Sequence, residues 1–195
     1  MNMTPLFLAS TGFKFIDWQK LWAILLKYWD KFLIEGVKYT LLISAITVFF
    51  GAILAAALAL MKMSKILPLR WISAIYVEII RGTPMLLQLY FFYFGLPMLI
   101  PALNKQKLLC ICIALICNSA AYVSEVIRSG IQAVDPGQTE AALSLGFNKK
   151  QTMWYIVLPQ AVKNILPALG NEFIMIVKDT SLASTFFVGE LMTQY

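Results

Sequence analysis

The sequence contains no histidine and few charged residues. Of its 195 residues 13% are charged, whereas roughly 25% is usual in soluble domains. Hydrophobic residues make up 60% of the chain and the mean hydropathy is +0.75. This balance excludes an ordinary soluble domain and indicates an integral membrane protein. The net charge of +6 is more typical of cytoplasmic loops beside lipid headgroups than of a nucleic-acid-binding surface.

Several kinds of catalytic machinery are missing as well. Without histidine, a zinc site or a histidine-based catalytic centre has little support. No G-x-x-x-x-G-K-S/T phosphate-binding loop occurs, so the chain cannot itself be an ATPase of that type. The three cysteines, Cys110, Cys112 and Cys117, share one apolar run, which favours small helix-facing residues over a metal site or a disulfide.

Long uncharged runs predict helices that cross the membrane. The run between Lys38 and Lys62 is long enough to span about 30 Å of hydrocarbon at ~1.5 Å per residue. Residues 70–100 are expected to form one long helix that is kinked at 81–84 and ends near 95–97.

Two further spans are predicted in the second half of the chain. A third covers about 106–129, where Glu125 should be paired, for example with Arg128, or lie near an aqueous end, because an intramembrane carboxylate is costly. A fourth contains Pro159 and Pro167 and should therefore be bent.

The two ends of the chain stand apart from these spans. Residues 1–35 mix aromatic residues with lysines, which is typical of a helix at the membrane interface, although a poorly ordered lead-in fits the sequence about as well. Residues 182–195 resemble the beginning of a fifth span but are too short to cross, so we expect a truncated last helix. The predicted domains are an N-terminal interfacial segment, 1–35, and a transmembrane domain, 36–195.

The distribution of basic residues predicts the orientation of the spans. The basic loop at 62–70 and the region 128–150 should both be cytoplasmic, and alternating spans do place them on one side. The lysines that precede the first span fall on the opposite side and count against this orientation.

The stretch 135–160 is the longest one away from the chain ends that does not have the composition of bilayer core. Asp135 can cap a helix that begins at Pro136, and Gln138 is placed as in a capping box. Gly146 tolerates the left-handed conformation that ends such a helix. The pattern therefore predicts a short helix followed by a sharp turn.

The predicted short helix has a surface of small side chains. Ala141, Ala142 and Leu145 fall on one face at helical spacing. Such a low-relief surface suits a groove of another protein, but packing within the chain is about equally compatible with it. A second helix should follow, capped by Asn148 with Gln151 three residues later.

Residues 140–142 read EAA, Gly146 follows after three residues, and I-x-L-P occupies 156–159. This spacing resembles the EAA motif of bacterial ATP-binding-cassette (ABC) importer permeases. In that family the motif is the coupling helix, which sits in a cleft of the cytoplasmic ATPase. The resemblance assigns ATPase coupling to Glu140, Ala141, Ala142, Leu145 and Gly146.

Further matches are similar to the polar-amino-acid branch of these permeases, the histidine, glutamine and arginine type, rather than to the sugar or peptide branches. They lie at 76–78, 81–84, 93–97, 118–122, 128–132, 170–173 and 178–182. Ala120 stands where family members usually have glycine, which is a mild departure. Residues 1–35 carry no pattern of the family.

The resemblance implies an all-α integral membrane protein with the transmembrane domain of a type I ABC importer. About five transmembrane helices, an outside N-terminus and a cytoplasmic coupling helix at about 136–146 are expected. The implied function is that of a permease subunit which moves polar amino acids across the bacterial cytoplasmic (inner) membrane by alternating access.

The resemblance also implies the partners. The permease itself is not an enzyme and holds no cofactor, since ATP and Mg²⁺ are bound by a partner ATPase subunit. An extracytoplasmic amino-acid-binding protein, a second permease copy or paralogue and the lipid membrane are the other partners. No nucleic acid is expected.

A zwitterionic amino acid in a dry path needs an acceptor for its ammonium group and a donor for its carboxylate. The candidate substrate-path residues are Thr83, Gln88, Glu125, Asn171, Glu172 and Asp179. The competing interpretation, favoured roughly two to one, is that such residues hold helices together. The pairs Glu78 with Arg81 and Lys178 with Asp179 are examples of it.

Two other classes of protein remain open at this stage. A membrane channel or structural membrane subunit without an ATPase partner would share the spans but gives no reason for the EAA spacing. A membrane enzyme lacks histidine and paired intramembrane aspartates from which to build a site. The sequence does not identify the amino acid that is transported. It also leaves open whether the permease is a homodimer or a heterodimer, and whether the transmembrane domain contains a substrate site.

Overall fold

A computed structural model describes residues 18–30, 34 and 36–186, and every regular element within them is helical. The α-helices are α1 Trp18–Asp30, α2 Val37–Met63, α3 Leu67–Gly82, α4 Met85–Tyr90, α5 Leu96–Leu99, α6 Lys107–Gln132, α7 Pro136–Ser144, α8 Lys149–Gln151 and α9 Leu158–Asp179. π-Helical turns occupy Phe91–Gly95 and Thr152–Val157, and 3₁₀ turns occupy Pro101–Lys105 and Thr180–Phe186.

Within this described part, α2 and α6 are long and apolar enough to cross a membrane. They coincide with the first and third predicted spans. Exposed side chains on α2, such as Phe49 at 62% and Ile53 at 58%, provide the apolar surface that lipid would cover.

The second predicted span is two separate helices and not one kinked helix. Thr83 and Pro84 are both extended, with ψ of 143° and 138°, and they separate α3 from α4. The physical reason is that proline pushes the preceding residue out of the helical region. The helical path also runs on to Leu99, past the predicted end at 95–97.

The fourth predicted span begins at Asn148 and reaches Asp179 through a π-helical turn just before Pro159. Pro167 lies inside α9. The predicted fifth span at 182–195 is described only as far as Phe186, and its remainder lies outside the described residues, as do 1–17, 31–33 and 35 of the predicted interfacial segment.

Helices α2 and α6 form the centre of the bundle and run in the same direction. Near their N-terminal ends Ile43 packs in one cluster with Ile111 and Leu115, and near their C-terminal ends Lys62 meets Glu125. The C-terminal ends of both helices therefore lie on one side, as the distribution of basic residues predicts.

Helices α2, α6 and α9 approach one another closely at two glycines. A Cβ on Gly51 of α2 would stand 2.8 Å from Ser119 Oγ, and a Cβ on Gly130 of α6 would stand 2.3 Å from Ile165 Cγ1 on α9. Because such distances are far below van der Waals contact, a larger residue would push the helices apart.

Candidate functional site

Helix α7 begins as the sequence predicts, with one difference. Asp135 is the N-cap, Pro136 is the first helical residue, and Asp135 Oδ1 accepts a hydrogen bond from the Gly137 N–H at 2.7 Å. The predicted capping box at Gln138 is wrong. The side-chain oxygen of Gln138 instead accepts from Gln160 Nε2 at 3.4 Å, so it does not reach back to the cap.

The end of α7 is a Schellman motif centred on Gly146, whose φ is +88°. The Gly146 N–H donates to the Leu143 carbonyl at 3.0 Å, and the Phe147 N–H donates to the Ala142 carbonyl at 3.1 Å. Among the described residues, apart from the two chain neighbours, no atom lies within 4 Å of a Cβ built on Gly146. Glycine is therefore needed here for its backbone conformation, as predicted, and not for lack of space.

The second cap is formed in full. Asn148 Oδ1 accepts from the Gln151 N–H at 2.9 Å, and Gln151 Oε1 accepts from the Asn148 N–H at 2.9 Å. The predicted capping box at this position is confirmed. We call the whole unit, residues 135–151, the hairpin.

The predicted common face of α7 is divided between the inside and the outside of the chain. Ala142 is buried at 4% exposure, whereas Ala141 is exposed and Leu145 is 80% exposed. Leu145 does not share the buried face of Ala142 because the helix ends at Ser144 and Leu145 is its C-cap. Glu140 is exposed too and lies at the edge of a cavity between α7 and the end of α6, so the exposed surface of α7 offers one acidic and several small or apolar groups.

A cavity of about 530 Å³ lies between α7, the end of α6 and the π-helical turn at Thr152–Val157. Its lining includes Gln132, Thr139, Glu140, Leu143, Lys149 and Met153. Helix α7 is therefore only partly packed against the chain to which it belongs.

Glu125, a candidate for the substrate path, is engaged by two cations. Arg128 donates to Glu125 Oε2 from Nη2 at 2.7 Å and from Nε at 3.0 Å, and Lys62 donates to Oε1. The predicted pairing with Arg128 is confirmed, and Lys62 adds a link from α2. Arg128 Nη1 also donates to Gln132 Oε1 at 2.5 Å, so this network reaches the cavity beside α7.

Thr83 and Gln88 lie together at the break between α3 and α4. Since Pro84 has no N–H, the Ile80 carbonyl lacks its helical donor, and Gln88 Nε2 supplies one at 2.7 Å. The same nitrogen stands 2.8 Å from Thr83 Oγ1, while Gln88 Oε1 accepts from Asn118 Nδ2 at 3.0 Å. The buried Gln88 thus joins the break to α6.

The remaining candidates lie on α9. Asn171 is exposed, whereas Glu172 and Asp179 are partly buried. Glu172 is within electrostatic range of Asp179 and of Arg81 on α3. Glu125 is bonded elsewhere, and Thr83 with Gln88 lies at the break before α4, so the six candidates do not form one site.

Two predicted ion pairs are not formed among residues 36–186. Arg81 lies over the Tyr122 ring, 5.2 Å from its centroid, and does not bind Glu78. Lys178 and Asp179 do not pair either, because residues adjacent along a helix point in different directions.

Two of the candidate residues have hydrogen-bond partners that the sequence does not predict. Asn118 bonds Gln88 across 30 positions of the chain, and Lys62 bonds Glu125 across 63. The one available signal was Pro84, because the carbonyl four residues before a proline needs a substitute donor.

A family model described as the binding-protein-dependent transport system inner membrane component matches residues 47–195. The arginine transport system permease protein ArtQ of Bacillus subtilis is 43% identical over 161 residues, which are 83% of this chain and 73% of that protein. The L-cystine transport system permease protein TcyB of the same organism is 39% identical over 170 residues, 87% and 72% of the two chains. A putative glutamine transport system permease protein GlnP of Rickettsia bellii is 45% identical over 161 residues, 83% and 73%.

A solved structure shows the same fold. The crystal structure of an amino acid ABC transporter with histidines matches with a TM-score of 0.81 at 43% identity. The match covers 93% of this chain and 81% of the solved one. The predicted fold class, an all-helical type I importer transmembrane domain, is confirmed.

Proposed function

The chain belongs to the family of binding-protein-dependent transport system inner membrane components, and we propose that it works as the permease subunit of an ATP-driven amino-acid importer. The relatives are named as permeases for arginine, cystine and glutamine, and the solved neighbour is an amino acid ABC transporter. No channel or structural subunit is among these similar proteins, so nothing favours that alternative.

The substrate class is a polar amino acid. Three relatives with different named substrates match this chain at 39–45% identity, so similarity alone selects none of the three. The acidic pair of Glu172 and Asp179 on α9 would suit the ammonium group of the substrate. Arg81 on α3 has the charge that suits a substrate carboxylate.

Glu172, Asp179 and Asn171 therefore remain our candidates for the substrate path. Thr83, Gln88 and Glu125 are better explained by their bonds within the chain. Gln88 and Thr83 satisfy the break before α4, and Glu125 holds α2 to α6. In alternating access these bonds would keep α2, α3 and α6 together while the path opens on either side.

The observation that carries the coupling proposal is the exposed outer side of α7. This nine-residue helix is capped at both ends by the residues that directly flank it, and Glu140, Ala141 and Leu145 are exposed. A short, rigid and small-faced helix of this kind fits a groove of a second protein. We assign that groove to the ATPase subunit, which binds ATP and Mg²⁺ and moves α7 as it closes.

The other partners follow from the same family. An extracytoplasmic binding protein would deliver the amino acid, and a second copy of this chain or a paralogue would complete the path. The location is the cytoplasmic (inner) membrane of a bacterium. The cavity between α7 and the rest of the chain gives the ATPase a place to shift α7 without unfolding it.

The test is co-purification of partners from native membranes in mild detergent. The wild type should recover an ATPase and a binding protein, and Glu140→Lys should lose the ATPase because a cation replaces the exposed carboxylate. Glu140→Gln is the matched control and should retain it, since the amide keeps the shape and a hydrogen-bonding oxygen. Failure of the wild type to recover any ATPase would overturn the coupling role of α7.

A further inference from the structure

Helix α1 carries an exposed aromatic stripe. Trp18, Trp22, Leu26 and Trp29 recur at spacings of four, four and three residues, which places them within an arc of about 80° on the helix. Their side chains are between 54% and 71% exposed. An apolar surface this rich in tryptophan is unusual on a helix that faces only water.

The other side of α1 carries a cation. Lys27 lies about 180° from Trp18 around the helix, and its side chain is exposed. Its Nζ stands 5.1 Å from the centroid of the Tyr28 ring, which borders the stripe. Helix α1 is therefore amphipathic, with tryptophan on one side and positive charge on the other.

The described part of α1 is shorter than a membrane span. Its 13 residues measure about 20 Å, against the ~30 Å of a hydrocarbon core. Residues 31–36 separate it from α2, so the facing ends of the two helices are at most about 25 Å apart. Because α2 begins at Val37 and is long and apolar enough to cross a membrane, its crossing would hold α1 near the membrane surface.

We propose that α1 lies in the boundary between headgroups and acyl chains of the lipid bilayer, beside the point where α2 enters. Trp18, Trp22 and Trp29 would face the acyl chains, and Lys27 would face the lipid phosphates. The indole ring is suited to this boundary because it combines a large apolar body with one N–H donor. This inference goes beyond the transport function and depends only on α2 crossing the membrane.

The test uses tryptophan fluorescence of the full-length protein in phosphatidylcholine vesicles. Every tryptophan outside α1, Trp71 and Trp154 among them, is changed to phenylalanine, so that the fluorescence comes from α1 alone. Lipids brominated near the headgroup should then quench the fluorescence more strongly than lipids brominated near the chain ends.

Three results would each overturn the proposal. Stronger quenching by the deep bromines would mean that α1 crosses or enters the bilayer core. Quenching by aqueous acrylamide, with none by either lipid, would mean that α1 stands in water. Protection from both kinds of quencher would mean that protein, such as a second copy of the chain, covers the stripe.

A matched pair of single-tryptophan variants tests the orientation. One retains only Trp22, and the other replaces all five native tryptophans and carries Lys27→Trp on the opposite side. Quenching by the shallow bromines should be at least about twofold stronger for Trp22. Equal quenching of the two would contradict an interfacial helix with its stripe turned inward.

Discussion

The hairpin and the break before α4 both end one helix and begin another, but by different means. In the hairpin, the hydrogen bonds that cap α7 at both ends and α8 at its start join groups at most five positions apart. At the break, the freed Ile80 carbonyl accepts from Thr83 Oγ1 at 3.3 Å and from Gln88 Nε2 at 2.7 Å. Gln88 is itself bonded to Asn118 of α6, 30 positions away.

This difference separates a unit whose caps are made by its own residues from one whose hydrogen bonds depend on the bundle. The hairpin keeps its shape by its own bonds, and a cavity of about 530 Å³ lies behind it. The break can change only together with α6. A partner that pushes the hairpin therefore moves a preformed lever, whereas a change at the break would spread through α3, α4 and α6.

The largest effect is expected from Gly146→Val. A β-branched residue at a φ of +88° costs about 1–3 kcal/mol, and the Schellman motif would be replaced by another turn. Uptake by the reconstituted importer should fall by more than tenfold. Gly146→Asn is the control and should keep most of the uptake, because asparagine tolerates the left-handed region and has room here. Full uptake by the valine variant would show that the turn is not part of the lever.

The next effect is expected from Gln88→Leu, which removes the closer of two side-chain donors to the Ile80 carbonyl and the acceptor of Asn118. The buried Asn118 amide then loses this partner, and an unsatisfied buried group costs about 1–3 kcal/mol. Thermal unfolding in detergent should show a clearly lower Tm. Asn118→Ala should lower it less, because Gln88 then keeps its bonds at the break. An unchanged Tm for Gln88→Leu would mean that the break does not depend on α6.

A smaller effect on stability is expected from alanine substitutions at Gly130 and Gly170, which differ in the space around them. In Gly130→Ala the new methyl would stand 2.3 Å from Ile165, so overpacking should destabilise the fold by about 1–2 kcal/mol. In the described part of the chain, no neighbouring group lies within 4 Å of a Cβ added to Gly170 of α9. Gly170→Ala should therefore be neutral or stabilising by about 0.5–1 kcal/mol. Equal stability of the two variants would contradict the close approach of α6 and α9.

The smallest effect is expected from Asp135→Ala. Loss of an N-cap costs about 1 kcal/mol, and here it should be confined to the hairpin. Hydrogen exchange should accelerate at the first amides of α7 while the Tm of the whole protein hardly changes. A global loss of stability would show that the hairpin is not independent of the bundle.

A region can be predicted from the sequence when its hydrogen-bond partners lie close together along the chain. The Asn148 box, the Pro136 start and the left-handed Gly146 could all be predicted, because each depends on residues a few positions away. The first and third spans could be predicted because hydropathy depends on composition alone.

The partners within the bundle could not be predicted in the same way. The roles of Gln88 and Glu125 depend on Asn118 and Lys62, which meet them only after the helices pack. The expected Glu78 pair failed for the same reason, since Tyr122 of α6 takes Arg81. The docking role proposed for the exposed side of α7 rests on its small side chains and on the resemblance to a family, because the chain alone shows no partner surface for it.

The most direct test of the coupling claim is thiol labelling of Leu145→Cys in a background with the three native cysteines changed to alanine. The 80% exposed position should react quickly with a maleimide in the isolated permease and several-fold more slowly once the ATPase subunit is bound. Lys65→Cys, in the exposed loop between α2 and α3, is the control and should change less. If Leu145→Cys reacts equally fast with and without the ATPase, α7 is not the surface that receives the motion.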